Sequence, residues 1–219
     1  MVAENLISTA ILPLKTSDTG KDALRMMEDF YVRHLPIVNS KQLLGLISED
    51  DILIHNVAEA VGSYALSMTR PNVRNSDHIY EVMRLLAEFQ LTVIPVVDDD
   101  GNYIGMISQE DVLSYFAKNA SFTETGSIIV LEIKRRDYSL AEIARIVESE
   151  GAAILSTFIT SHFESALIEV TIKINRQNIN NIISTFERFS YEIKASFNES
   201  DYLESLQERY DSLMSYLNV

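Results

Sequence analysis

The chain has no cysteine, so disulfides and thiol catalysis are excluded. No stretch approaches the roughly 18 consecutive apolar residues that a membrane-spanning helix requires. The opening residues, Met1-Val2-Ala3-Glu4-Asn5, contain an acid and no basic cluster, so they do not read as a secretory signal. Together these absences fit the cytoplasm. Cations are also scarce: 18 Lys and Arg face 32 Asp and Glu, a net charge of −14, which argues against nucleic acid as a partner because phosphate-backbone binding relies on clustered cations. The four histidines, His34, His55, His78 and His162, have no metal-ligand spacing. No Gly-x-Ser-x-Gly elbow and no Gly-x-x-x-x-Gly-Lys-Ser/Thr phosphate loop occurs. The expectation is a protein that is not an enzyme, with no metal and no resident cofactor.

What is present is a repeat. Gly45-Leu46-Ile47-Ser48-Glu49-Asp50-Asp51-Ile52-Leu53 returns 60 residues later as Gly105-Met106-Ile107-Ser108-Gln109-Glu110-Asp111-Val112-Leu113, identical at five of nine positions. Such a repeat sets the architecture before any single motif does. Each copy reads as a short apolar strand running into a helix, with Ser as the helix cap and Asp three residues on. A structural cap explains one such copy. Two copies at matched places add a chemical reading: the Asp carboxylate can accept from the two vicinal hydroxyls of a ribose. The matching extends upstream at an offset of 59. Thr16-Ser17-Asp18 pairs with Asn75-Ser76-Asp77, a helix over Thr19 to Tyr31 pairs with one over His78 to Phe89, and Leu35-Pro36-Ile37-Val38 pairs with Ile94-Pro95-Val96-Val97. The hairpin Asp98-Asp99-Asp100-Gly101-Asn102 is one residue longer than its counterpart. It reads as turn chemistry rather than a calcium loop, because the EF-hand spacing and its terminal Glu are missing. A helix from about Asp50 to Ser63 is predicted to join the two units.

These features resemble paired CBS domains: the apolar-Pro-apolar strand, the Gly-x-apolar-Ser-x-x-Asp turn, and the repetition about 60 residues on. The resemblance covers about residues 1–120, with repeat 1 at about 6–63 and repeat 2 at about 64–120. It implies β-α-β-β-α units, a clefted dimer-forming module, and an adenosine-containing regulatory ligand of the AMP, ADP or ATP class. It places the ribose on Asp51 and Asp111, helped by Ser48 and Ser108. Beside them it sets Lys15 and Thr16 in one cleft, Arg74 and Asn75 in the other, and the strand prolines Pro36 and Pro95. Lys15 and Arg74 are the phosphate candidates, with Arg33, His34 and Arg70 behind them. Mg²⁺ enters only together with a polyphosphate, at Glu49-Asp50-Asp51.

Residues 121–126 read as a polar linker. From 127 to 198 the order strand, helix, strand, strand, helix, strand gives the ferredoxin-like plan. The helix is predicted to start at Ser139-Leu140-Ala141-Glu142, with Leu140, Ile143, Ala144 and Val147 as its apolar face and Gly151 as its end. Ala166, Ile168, Val170, Ile172 and Ile174 alternate on one strand face. With that helix start the segment resembles an ACT domain, although its first loop, Arg135-Arg136-Asp137-Tyr138, lacks the family's usual Pro or Gly. Residues 199–219 read as an amphipathic helix with a heptad seam at Leu203, Leu206, Tyr210, Leu213 and Leu217.

The whole is expected to be α+β: a CBS pair, an ACT-like domain and a terminal helix. That order is similar to acetoin-utilisation-type regulators. The expected role is a homodimeric sensor whose ligand shifts the arrangement of the repeats, with a metabolic enzyme among its candidate partners and no membrane association. The alternative is a dimeric scaffold that regulates a partner enzyme without a ligand.

Overall fold

A computed structural model describes residues 1–8, 10–64, 71–119, 121–161, 165–198, 210 and 212–216. It divides into two compact units, Met1–Phe116 and Ala117–Val219.

In the first unit both repeats build a helix and an antiparallel hairpin. Repeat 1 has α1 (Gly20–Asp29), β1 (His34–Asn39), β2 (Gln42–Ser48) and α2 (Glu49–Leu53). Repeat 2 has β3 (Val73–Arg74), α3 (Ile79–Glu88), β4 (Val93–Val97), β5 (Tyr103–Ser108) and α4 (Gln109–Asn119). The two hairpins share even their irregularity: the register slips between Ile37 and Val38 in one and between Val96 and Val97 in the other. The first strand of each unit is minimal. It is the two-residue β3, parallel to β4, in repeat 2, and a single bridge from Leu14 to Ile37 in repeat 1. The longer turn behaves as turn chemistry predicts, because the Asp98 carboxylate accepts from the N–H groups of Asp100 and Asn102 and from the Asn102 side chain. These bonds, those to Asn102 first, hold the Asp98 carboxyl below its ordinary value.

The joining helix predicted over Asp50 to Ser63 ends at Leu53. The reason is tertiary. The main-chain carbonyls of Val57 and Glu59 turn inward to accept from the N–H groups of Lys21 and Gly20, the unpaired donors of the first turn of α1. The Tyr64 hydroxyl donates to the carbonyl of Asn56. A continuous helix would have used those carbonyls itself.

The chain crosses over between repeats. A short 3₁₀ turn at Ala3–Leu6 precedes repeat 1 but docks on repeat 2, where Ala3 N–H donates to Asp77 O and Glu4 N–H to Asn75 O. Its counterpart at Val61–Ser63 precedes repeat 2 but docks on repeat 1, with Val61 N–H on Asp18 O and Gly62 N–H on Thr16 O. A Cβ on Gly62 would lie 2.7 Å from the Thr16 carbonyl oxygen, so this close seat requires glycine. One core joins both repeats, with Leu35, Leu46 and Ile47 from one and Ile94, Met106 and Ile107 from the other, all essentially inaccessible.

The second unit has β6 (Ser127–Lys134), α5 (Leu140–Ser149), β7 (Ile154–Ser161), β8 (Leu167–Ile174), α6 (Asn180–Arg188) and β9 (Glu192–Phe197). The sheet order β7-β8-β6-β9, all antiparallel, is the ferredoxin-like arrangement. Ile168, Val170, Ile172 and Ile174 alternate inward against the helices, while Ala166 lies before the strand and is exposed. On α5 the buried face is Ile143, Ile146 and Val147, and Leu140 is exposed because it opens the first turn. The Ser139 hydroxyl caps this helix, and Gly151, at φ +68°, follows its C-terminal end.

The segment read as a linker packs on this unit. The Lys173 ammonium donates to the carbonyls of Ser121 (2.6 Å) and Phe122 (3.1 Å), and the Phe122 ring stacks on Phe158. In the tail, Tyr210 and residues 212–216 are helical, with Tyr210 and Leu213 exposed. Leu203, Leu206 and Leu217 of the predicted seam lie outside the described residues, as do Arg70 and His162.

Candidate functional site

The Ser-x-x-Asp motif forms the same structure twice. At the end of β2 the Ser48 hydroxyl donates to Asp51 Oδ2 (2.7 Å), Ser48 N–H donates to the same oxygen (3.0 Å), and Asp51 N–H donates back to Ser48 Oγ (3.0 Å). At the end of β5 the corresponding distances for Ser108 and Asp111 are 2.6, 2.8 and 3.0 Å. These are reciprocal capping boxes, which satisfy helix-end donors. They also fix each aspartate in the lining of a cleft.

Each cleft is built by both repeats. Around Asp51 lies a cavity of about 410 Å³, walled by Arg33, His34 and Ser48 from repeat 1 and by Phe89 and Gln90 from repeat 2. Around Asp111 lies one of about 380 Å³, walled by Thr92 and Ser108 from repeat 2 and by Ile11, Phe30 and Val32 from repeat 1. Phe30 and Phe89 are the same position of the repeat, and so are Tyr31 and Gln90, which share a φ of 52°. The two clefts are thus related by the internal repeat.

Between them the repeats are clasped by polar groups. Arg33 N–H donates to Thr92 Oγ1 at 2.9 Å, and Thr92 N–H donates to His34 Nδ1 at 3.2 Å. His34 is 7% exposed. Burial first, and then the neighbouring Arg33, hold its imidazole below its ordinary pKa, against the opposing pull of Asp51 and Asp50. The Arg33 guanidinium reaches Glu49 at 3.1 Å and Asp50 at 3.8 Å, with its side chain 64% exposed.

Ser48, Asp51, Ser108 and Asp111 therefore stand in the clefts where the sequence puts them. Arg33 and His34, read as secondary candidates, line the Asp51 cleft. Lys15, Thr16, Arg74 and Asn75 are not brought to these cavities. Leu14 is level with Ile37, three positions along β1 from His34, about 10 Å from the Ser48 end at the strand rise of 3.3 Å per residue, and Lys15 lies one residue further away. Arg74 is level with Val97, at the other end of β4 from Val93, the partner of Ser108. Lys15 and Arg74 are exposed, and their N–H groups donate to Asp18 and Asp77. Thr16 receives the Gly62 N–H, and Asn75 carries a buried side-chain oxygen with no hydrogen-bond partner. Pro36 and Pro95 are buried at mid-strand, opposite Leu46 and Met106. The residues that sequence reasoning missed are Ser8, Ala10 and Ile11 and the helix-end residues Phe30 and Phe89. The identical Phe30 and Phe89 were the available signal.

Among the described residues no group of three or more His, Asp or Glu side chains could hold a metal ion, and no helix is long and apolar enough to cross a membrane. In the second unit an acid-rich cavity of about 320 Å³ lies beside Glu142 and Tyr191, whose hydroxyl donates to Glu142 at 2.9 Å. Burial first, and then that bond, push the Tyr191 phenol up to about 12.

The fold and the clefts define a tandem-repeat module with two equivalent interior seats. The chain belongs to the CBS-domain family, whose model matches residues 2–57 and 61–118. It is 26% identical over 166 residues to the magnesium transporter MgtE of Bacillus subtilis, covering 69% of this chain and 36% of that one. It is 27% identical over 118 residues to a homoserine O-acetyltransferase of Methanococcus vannielii, covering 51% of this chain and 24% of that one. The chain thus spans roughly a quarter to a third of the length of these two curated relatives. Among solved structures it resembles a CBS domain pair/ACT domain protein from Thermotoga maritima, with a TM-score of 0.48 and 20% identity over 54% of this chain and 98% of that one.

Proposed function

We propose that this protein is a non-enzymatic sensor that binds an adenosine-containing ligand of the AMP, ADP or ATP class in at least one cleft of its CBS pair. The observation that carries the reading is the duplicated capping-box aspartate, in each case lining a cavity walled by both repeats. Asp51 and Asp111 meet the ribose hydroxyls, and apolar side chains such as Ile11 and Val32 flank the base. A ligand that touches both repeats binds one relative arrangement of them better than others, and so shifts the population toward it. The ACT-like second unit receives that shift or adds a signal of its own, and a metabolic enzyme is the candidate listener. Mg²⁺ enters only with a polyphosphate.

The protein is a homodimer in this reading. Leu53 and Leu113, the same position of the repeat, are 61% and 71% exposed on α2 and α4, and Ile54 beside them is 76% exposed. A second copy would cover them.

The test is a thermal-shift and calorimetric panel of AMP, ADP, ATP, S-adenosylmethionine and adenosine on wild type, Asp51→Asn and Asp111→Asn. Asparagine keeps an oxygen for the serine cap but loses the second carboxylate acceptor. A ligand at 100 times its dissociation constant adds about 2.7 kcal/mol of stability. A shift lost in one variant supports the reading and identifies the working cleft. No shift with any ligand, in a protein that sediments as a dimer, overturns it in favour of a ligand-independent scaffold.

A further inference from the structure

Resting on that reading, we propose that the two clefts take different ligands: the Asp51 cleft a nucleoside monophosphate held through Arg33, and the Asp111 cleft a nucleoside without phosphate. The internal repeat makes the comparison direct. Arg33 and Thr92 are the same position, 59 residues apart, and each lines the cleft of its own repeat. The Ser-x-x-Asp box and the helix-end phenylalanine are common to both clefts. The charge is not: Arg33 stands against Thr92, and Glu49 against Gln109.

In the Asp51 cleft the guanidinium has one hydrogen bond, from Nε to Glu49, and a longer approach from Nη2 to Asp50. Both are solvent-exposed pairs, which hold a side chain only weakly. A guanidinium carries five donors in a planar fork, so the remaining N–H groups can turn onto phosphate oxygens in charge-assisted bonds. The same cleft contains the carboxyl groups of Glu49, Asp50 and Asp51. They limit the negative charge it accepts, which favours a monophosphate over a diphosphate or triphosphate without a metal. In the Asp111 cleft the described lining residues include two acids, Glu110 and Asp111, and no Lys, Arg or His. A phosphate there would face carboxylates with no cation to offset them. Its apolar wall of Ile11, Phe30 and Val32 suits an uncharged base and sugar.

The test is titration calorimetry of the full chain with AMP and with adenosine, on wild type, Arg33→Gln, Thr92→Arg, Asp51→Asn and Asp111→Asn. Wild type is expected to bind AMP at one site per chain. Asp51→Asn should abolish that site and Asp111→Asn should leave it. Arg33→Gln should weaken AMP by about ten- to a hundredfold, the scale of a hydrogen bond to a charged group, and leave adenosine unchanged. Because the Arg33 side chain is exposed, this variant should melt with wild type. Thr92→Arg should add a second AMP site. AMP filling both clefts of wild type, unchanged AMP affinity in Arg33→Gln, or loss of AMP in Asp111→Asn instead of Asp51→Asn overturns the proposal alone. If neither AMP nor adenosine binds, this proposal falls; the sensor reading beneath it falls only if ADP, ATP and S-adenosylmethionine also fail to bind.

Discussion

Thr92 N–H donates to His34 Nδ1 across the contact between the two repeats, with the Thr92 hydroxyl 3.1 Å from the same nitrogen. An Nδ1 that accepts carries no proton, so the ring is neutral with its hydrogen on Nε2. Protonation would set an N–H against an N–H in a buried place. The clasp therefore has a defined charge state.

A pH dependence follows with a definite sign. The folded-state pKa of His34 lies below the ordinary histidine value of about 6.5, chiefly through burial. Between the folded value and about 6.5 the unfolded chain binds a proton that the folded chain does not. The His34 contribution is complete above that range and is lost as the pH falls through it. Urea unfolding between pH 7.5 and pH 5 should show stability declining on acidification, and His34→Gln should flatten the decline. A variant as steep as wild type would assign the slope elsewhere.

The capping boxes carry stability as well as the candidate site. Ser48→Ala and Ser108→Ala each remove the hydroxyl that receives the Asp N–H, at a cost of about 1 kcal/mol. The loss should be larger at Ser48, because Asp51 is 3% exposed and its carboxylate cannot turn to water as readily as the half-buried Asp111. Equilibrium urea unfolding of the two variants side by side measures the difference.

Gly126 closes against the far end of β8. A Cβ there would lie 2.0 Å from the main-chain oxygen of Ile174, where no side chain can move aside. Gly126→Ala should destabilise the second unit by about 1–3 kcal/mol, the usual range for forced overpacking. Hydrogen exchange read by mass spectrometry should show lost protection in β6 and β8, with the amides of the CBS pair unchanged.

Phe186 is wholly buried on α6 and meets Tyr191 edge-on, with ring centroids 5.5 Å apart. Phe186→Ala should cost about 3–5 kcal/mol through lost burial and the cavity left behind. Calorimetric melting should show the loss, and Phe186→Leu should recover much of it.

Much of this was legible because the chain says it twice. The 59- and 60-residue offsets put Ser48, Asp51, Ser108 and Asp111 at the ends of matched hairpins. Alternation along Leu167–Ile174 gave the inward face of β8. What the sequence did not disclose were contacts across the repeats. Ile11 and Val32 serve the Asp111 cleft although their own repeat contains Asp51, and no local pattern announces that. Lys15 and Arg74 sit at equivalent positions, but equivalence does not give distance, and the strand register places them at the other end. The joining helix stopped early because α1 needed carbonyls from Val57 and Glu59, a demand that helical periodicity does not contain.

The crossed 3₁₀ turns make each repeat a lock whose key is carried by its neighbour. Removing the first six residues should loosen repeat 2, some seventy residues downstream, and leave the adjoining repeat 1 intact. A single repeat expressed alone would present an empty seat and an unseated turn, which another copy of itself could fill. Fusing two repeats in one chain turns that exchange from an encounter between molecules into a permanent internal marriage.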